Sequence, residues 1–155
     1  MLDIVWYPSK NYADREGKAI SAMVLHNTAG SYQGSLQRLC DTKAKSRVSA
    51  HYLVTRVGQV FHLVDDRMCA WHSGNRDMNQ RSIGIEFEAR EEAKGLTTSQ
   101  EETGVSLIRW LMPRYGISVA NIFPHREVLG VNTFCPGLIW PTAEDFKNWK
   151  ERNLL

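Results

Sequence analysis

A chain of 155 residues has the length of one domain and can bury a single sizeable core. Its apolar fraction of 43% and charged fraction of 23% are those of an ordinary globular protein, and a net charge of +2 with no basic stripe argues against nucleic acid as a partner. Three cysteines, Cys40, Cys69 and Cys135, have no framework-like spacing, so a disulfide scaffold is not expected and a reducing compartment is. No apolar run approaches the ~18 residues of a membrane span. Met1-Leu-Asp-Ile-Val-Trp-Tyr-Pro8 lacks the basic-then-apolar pattern of a signal peptide, so the expectation is a monomer made in the cytoplasm.

In chain order, the first twenty residues read as irregular. Ala22 to His26 is a continuous apolar run of strand length, as expected of a strand buried on both faces. Ser35 to Asp41 reads as a short helix with Leu36 and Leu39 inward. Ser49–Arg56 and Val60–Val64 flank Val57-Gly58-Gln59 as a hairpin. Ser82 to Ala89 alternates, with Ile83, Ile85, Phe87 and Ala89 on a core face. Ser82, Gly84, Glu86 and Glu88 lie on a second face, expected to be the uncovered floor of a cleft. Thr98-Ser-Gln-Glu101 reads as a capping box opening a helix that buries Gly104, Ile108 and Leu111 and stops near Gly116. Asn121–His125 is a short strand, and Thr142–Asn153 a last helix burying Phe146 and Trp149. The expected fold is α/β: a single domain, residues 1–155, with a mixed central β-sheet flanked by helices.

His26 and His125 both end short apolar runs, where sites gather in such sheets. Cys135 follows His125 within one loop closed by Pro136-Gly137. Two imidazoles and a thiolate can hold zinc with a fourth position open, the catalytic form of that metal. A metal-free alternative makes Cys135 a nucleophile with His125 as its base, which requires a thiol of lowered pKa. Chelation separates the two, because a thiol enzyme survives it and dies on alkylation.

Five segments, HNTAG, VSAHYLV, AWHSG, NQRSIGIEFE and HREV…TFCPG, spread in order from Val24 to Gly137. In them the chain resembles the zinc-dependent N-acetylmuramoyl-L-alanine amidases, which include phage lysins, AmpD-like recycling amidases and peptidoglycan recognition proteins. The resemblance implies one zinc ion held by His26, His125 and Cys135, and hydrolysis of the amide joining N-acetylmuramic acid to L-alanine in peptidoglycan or a muropeptide. It implies Glu86 as the catalytic carboxylate, with Glu88 on the same face as its rival. It implies Thr133 as an oxyanion donor, weaker than the Lys other members carry there. His72 is expected to reach into the cleft, and Asn27, Arg47 and Asn79 to contact substrate. Many lysins and recognition proteins carry a catalytic Tyr where this chain has Ala50, so the arrangement is of the recycling type. His51 reads as structural, and Cys40 and Cys69 as packing residues. Retention of all three ligands speaks against a binding-only module. A compact phage lysin is the favoured biology on brevity, with a cytoplasmic recycling enzyme as the alternative.

Overall fold

The computed structural model describes residues 2–155. Its six-stranded sheet has the order β1-β5-β4-β7-β3-β8, built from β1 (Ile4–Trp6), β3 (Ala22–Asn27), β4 (Tyr52–Val54), β5 (Val60–His62), β7 (Ser82–Phe87) and β8 (Ile122–Pro124). Within it only β4 and β5 pair antiparallel, as the hairpin turning at Gly58; the other neighbours run parallel. The sheet is therefore mixed, and the first twenty residues are not irregular as expected. Ile4–Trp6 adds β1 as the edge strand beside β5, and β2 (Tyr12–Asp14) pairs with β6 (Met68–Ala70) in a second, two-stranded sheet. Three-residue strands carry too little alternation to be seen in a sequence.

The period-2 pattern divides the core. Met23, Leu25, Ile83, Ile85 and Phe87 face α3 (Thr98–Tyr115) and α4 (Ala143–Leu154), which contribute Leu107, Ile108, Leu111, Phe146 and Trp149. Residues pointing the other way meet α1 (Tyr32–Cys40) and α2 (Arg76–Arg81): Leu36 and Leu39 pack on Leu53 and Leu63, and Met78 packs on Ala22 and Val24. The expectation of an uncovered second face is thus corrected. Ser82 and Gly84 are buried, and on this face only Glu86 and Glu88, at its end, are partly exposed.

Helix α3 starts one residue earlier than expected. Thr97 is the cap, accepting from the Gln100 N–H at 3.2 Å, while Gln100 Oε1 accepts from the Thr97 N–H. The sequence offers two boxes in adjacent registers, and burial chooses between them. The Gln100 amide bonds the Val54 and Glu88 carbonyls at the sheet edge, whereas Glu101 accepts from Trp149 Nε1 on α4 at 2.7 Å. Gly116, at φ +64°, closes the helix in the left-handed conformation glycine tolerates.

Gly104 is where α3 comes closest to the sheet. A Cβ there would lie 2.4 Å from Cε1 of Phe87, which is fully buried. Gly104→Ala is therefore expected to lower stability by about 1–3 kcal/mol through overpacking, outweighing alanine's better helix propensity. Equilibrium urea denaturation checks this; an unchanged or raised midpoint would show that the helix can shift freely.

Candidate active site

The site follows from strand register. In the parallel β3–β7 pair His26 lies beside Glu86, and in the β3–β8 pair Leu25 lies beside Pro124, which puts His125 next to His26 one residue further on. Three chemically active side chains thus meet at the C-terminal ends of β7, β3 and β8, where the strands of such sheets present their ligands. The loop after β8 delivers Cys135. Its Sγ accepts from the Asn27 N–H at 3.4 Å, and its carbonyl accepts from the Arg126 N–H at 2.9 Å. Gly137 follows at φ +64°, and a Cβ there would press on the Asn27 amide at 3.2 Å.

The ligand atoms of His26, His125 and Cys135 all lie within 4.8 Å of one another. Cys135 Sγ is 3.8 Å from His26 Nδ1. The far nitrogen of each ring is already engaged. His125 Nε2 donates to the Ser73 carbonyl at 2.9 Å, and His26 Nε2 pairs with His72 Nδ1 at 3.0 Å. Both rings therefore turn Nδ1 toward the thiol. Burial lowers the pKa of both histidines, so both are neutral and carry lone pairs at neutral pH.

Two further observations fit a cation at this point. Glu86 Oε2 is buried and has no hydrogen-bond partner among the described residues. With only desolvation acting, its carboxyl is raised to about 8. The Cys135 thiol is pushed up to about 12, first by burial and then by the neighbouring Glu86. A thiol of that kind is the opposite of the low-pKa nucleophile that the metal-free alternative requires. A bound divalent cation would relieve both strains at once, since it favours thiolate and carboxylate together.

Two grooves flank the cluster, of about 460 Å³ and about 500 Å³, and Asn27 lines both. Glu86 lines the first, with Ser31, Ser35 and Arg38 of the α1 region; Thr133, Phe134 and Cys135 line the second. Thr133 Oγ1 accepts from the Cys135 N–H at 3.2 Å, which leaves its own O–H to donate.

Glu86 and Glu88 differ in their hydrogen bonding. Glu88 accepts from the Tyr32 N–H at 3.0 Å and the Arg56 N–H at 2.8 Å, so it anchors the start of α1 to the hairpin. Several expected contacts fall elsewhere. His72 does not reach into the cleft: it is 9% exposed, and its ring packs on Gly84 behind His26. Asn79 Oδ1 is taken by the His72 and Ser73 N–H groups and the Ser73 hydroxyl, so it shapes that loop. Arg47 is exposed and stacks on Trp71, its guanidinium carbon 5.0 Å from the ring centroid. Arg38, by contrast, lines the groove and was missed by sequence reasoning. The available signal was its spacing from Ser31 and Ser35, which sets all three along one side of α1, next to the stripe that carries Leu36 and Leu39.

The sequence profile of the family described as N-acetylmuramoyl-L-alanine amidase matches residues 16–138. The chain belongs to this amidase family. It is 31% identical over 123 residues to N-acetylmuramoyl-L-alanine amidase A of Achromobacter lyticus, covering 77% of this chain and 67% of the relative. It is 29% identical over 143 residues to the amidase AmiD of Escherichia coli, covering 79% of this chain and 50% of AmiD. A crystal structure of AmiD with the substrate anhydro-N-acetylmuramic acid-L-Ala-D-gamma-Glu-L-Lys superposes with a TM-score of 0.70 at 26% identity, over 90% of this chain and 66% of that one. A selenomethionine AmpD derivative shares the fold, with a TM-score of 0.76 at 23% identity over 96% and 98% of the two chains. The chain thus spans about two thirds of the first curated relative and half of the second. The matched segment contains every residue named above for the candidate site, from His26 to Cys135.

Proposed function

We propose that this protein is a zinc amidase that cleaves the bond between the lactyl group of N-acetylmuramic acid and L-alanine in peptidoglycan. The observation that carries the reading is the convergence of His26, His125 and Cys135 beside an unpartnered, buried Glu86 oxygen in a chain of this amidase family. His26 and His125 would hold the ion through Nδ1 and Cys135 through Sγ. When bound, the ion supplies Lewis acidity, which makes water ionisable near pH ~7 and polarises a carbonyl. Glu86 takes the proton of the attacking water and passes it to the departing nitrogen. The Thr133 O–H donates to the carbonyl oxygen as charge builds there. Arg38, on the groove wall, suits a stem-peptide carboxylate.

Grooves on both sides of the cluster suit a polymer lying across it, which favours action on assembled cell wall, as a lysin, over recycling of soluble fragments. The test pairs elemental analysis with turbidity loss of purified peptidoglycan. About one zinc per chain and lysis blocked by a chelator are the expected results; lysis that persists after metal removal would sink the zinc reading. Rates on intact sacculi and on soluble muropeptides then separate the two roles, and a protein active only on the soluble fragments would be a recycling enzyme.

A neutral hydroxyl donates less to an oxyanion than a cation does, so Thr133→Ala should cost only about tenfold in kcat. A loss as large as that of the Glu86 variant would make Thr133 indispensable instead.

A further inference from the structure

Behind His26 a line of hydrogen bonds begins at a backbone carbonyl. Ser82 Oγ, at the start of β7, lies 2.6 Å from the Met78 carbonyl oxygen and 3.2 Å from His72 Nε2. Two oxygens that close need a hydrogen between them, and only the serine has one to give. The Ser82 hydrogen is therefore committed to Met78, and Ser82 Oγ is left to accept from His72 Nε2–H. An imidazole with its one hydrogen on Nε2 leaves its other nitrogen bare, so His72 Nδ1 accepts from His26 Nε2–H at 3.0 Å. With its hydrogen on Nε2, His26 must carry its lone pair on Nδ1, the atom that faces Cys135 Sγ.

We propose that His72 is a positioning residue which, with Ser82 as its anchor, locks His26 in the Nε2–H tautomer and keeps Nδ1 open as a metal ligand. Gly84 completes the device. A Cβ at that position would lie 2.5 Å from His72 Cγ and 2.8 Å from its Nδ1, so only glycine lets the ring settle against β7. The Gly84 N–H meanwhile donates to His51 Nδ1 at 2.9 Å, which leaves His51 Nε2–H for the Met68 carbonyl at 3.0 Å. The alternating residues of Ser-Ile-Gly-Ile-Glu thus serve one end: Ser82 orients His72, Gly84 admits it, and Glu86 stands beside the ligand that His72 holds. Partners of metal-bound histidines act in this way, and their loss costs about 10- to 100-fold in metal affinity.

The inference rests on the His26, His125 and Cys135 ligand reading, yet its first readout needs no metal. Imidazole nitrogen–proton NMR correlations of the metal-free protein should show His26 and His72 each as a single Nε2–H tautomer. In Ser82→Ala the His26 signal should become a mixture of tautomers. Zinc affinity, measured by competition with a chromogenic chelator, should fall about 10- to 100-fold in His72→Phe, which fills the space without accepting. His72→Asn, with an acceptor near the Nδ1 position, should recover most of that loss, which a purely space-filling role would not do. An Nδ1–H tautomer at His26 in the wild type, or equal zinc affinity in His72→Phe and the wild type, would overturn the proposal. A wild-type protein that binds no zinc would instead overturn the ligand set, and that failure is visible separately from the tautomers.

Discussion

Glu86→Gln is expected to fold and to keep its zinc while losing about a hundred- to ten-thousand-fold in rate. That is the range a positioned general base contributes. The substitution keeps shape and one acceptor oxygen but cannot take a proton. Glu88 cannot deputise, because both its oxygens are held by backbone N–H groups on α1 and the hairpin. The measurement is release of new L-alanine amino groups from purified peptidoglycan, with metal content determined on the same sample. A variant within a few-fold of wild type, at full metal occupancy, would remove Glu86 from the mechanism.

The same variant carries a stability signature. In the metal-free protein the Glu86 carboxyl is raised from 4.5 to about 8 by burial with no positive partner. A raised carboxyl holds its proton more tightly folded than unfolded. Its contribution to stability is therefore whole below pH ~4.5 and is lost as pH rises through about 8. Glutamine has no such slope, so the difference in thermal midpoint between metal-free wild type and Glu86→Gln should shift in favour of the variant over that window. A pH-independent difference would mean that the carboxyl is already ionised at neutral pH in the metal-free protein.

Cys135→Ser is the second large effect. The thiol becomes a ligand only as thiolate, and without a metal burial and Glu86 hold it protonated, so a cation must draw the proton off. Serine cannot form the corresponding anion near neutral pH, and its oxygen is a poorer zinc donor than sulfur. Zinc content should fall from about one per chain to well below it on dialysis. The thermal midpoint should drop to that of the chelated wild type, with no further drop on adding chelator. At a hundredfold excess of metal over Kd the lost binding contributes about 2.7 kcal/mol to stability. Unchanged zinc content would show that Cys135 is not a ligand.

Much of the architecture was legible because it is written in local patterns. The apolar run at Ala22–His26, the alternation at Ser82–Ala89 and the inward stripe of α3 each need only neighbouring residues to be read. The network around Arg15 had no such signal. Its guanidinium is 5% exposed and donates to the carbonyls of Asp66, Gln80 and Ser82, and no side-chain pattern announces a cation neutralised by backbone dipoles. The acidic partner nearby, Asp66, is held by the Tyr52 and Tyr115 hydroxyls, from β4 and from the end of α3. These partners lie far apart in the chain and meet only once the sheet has formed.

The sequence by itself determined the family, through five segments spread along the chain, and the longer strands and helices, through local periodicity; the set of His26, His125 and Cys135 was an expectation of that resemblance. Tertiary structure decided which carboxylate is free, where His72 stands and which nitrogen of His26 faces the thiol. Those outcomes depend on strand register and on competition among hydrogen-bond donors and acceptors brought together from distant segments. A choice among partners of similar strength is settled by position in space, and position is what a string of residues leaves open.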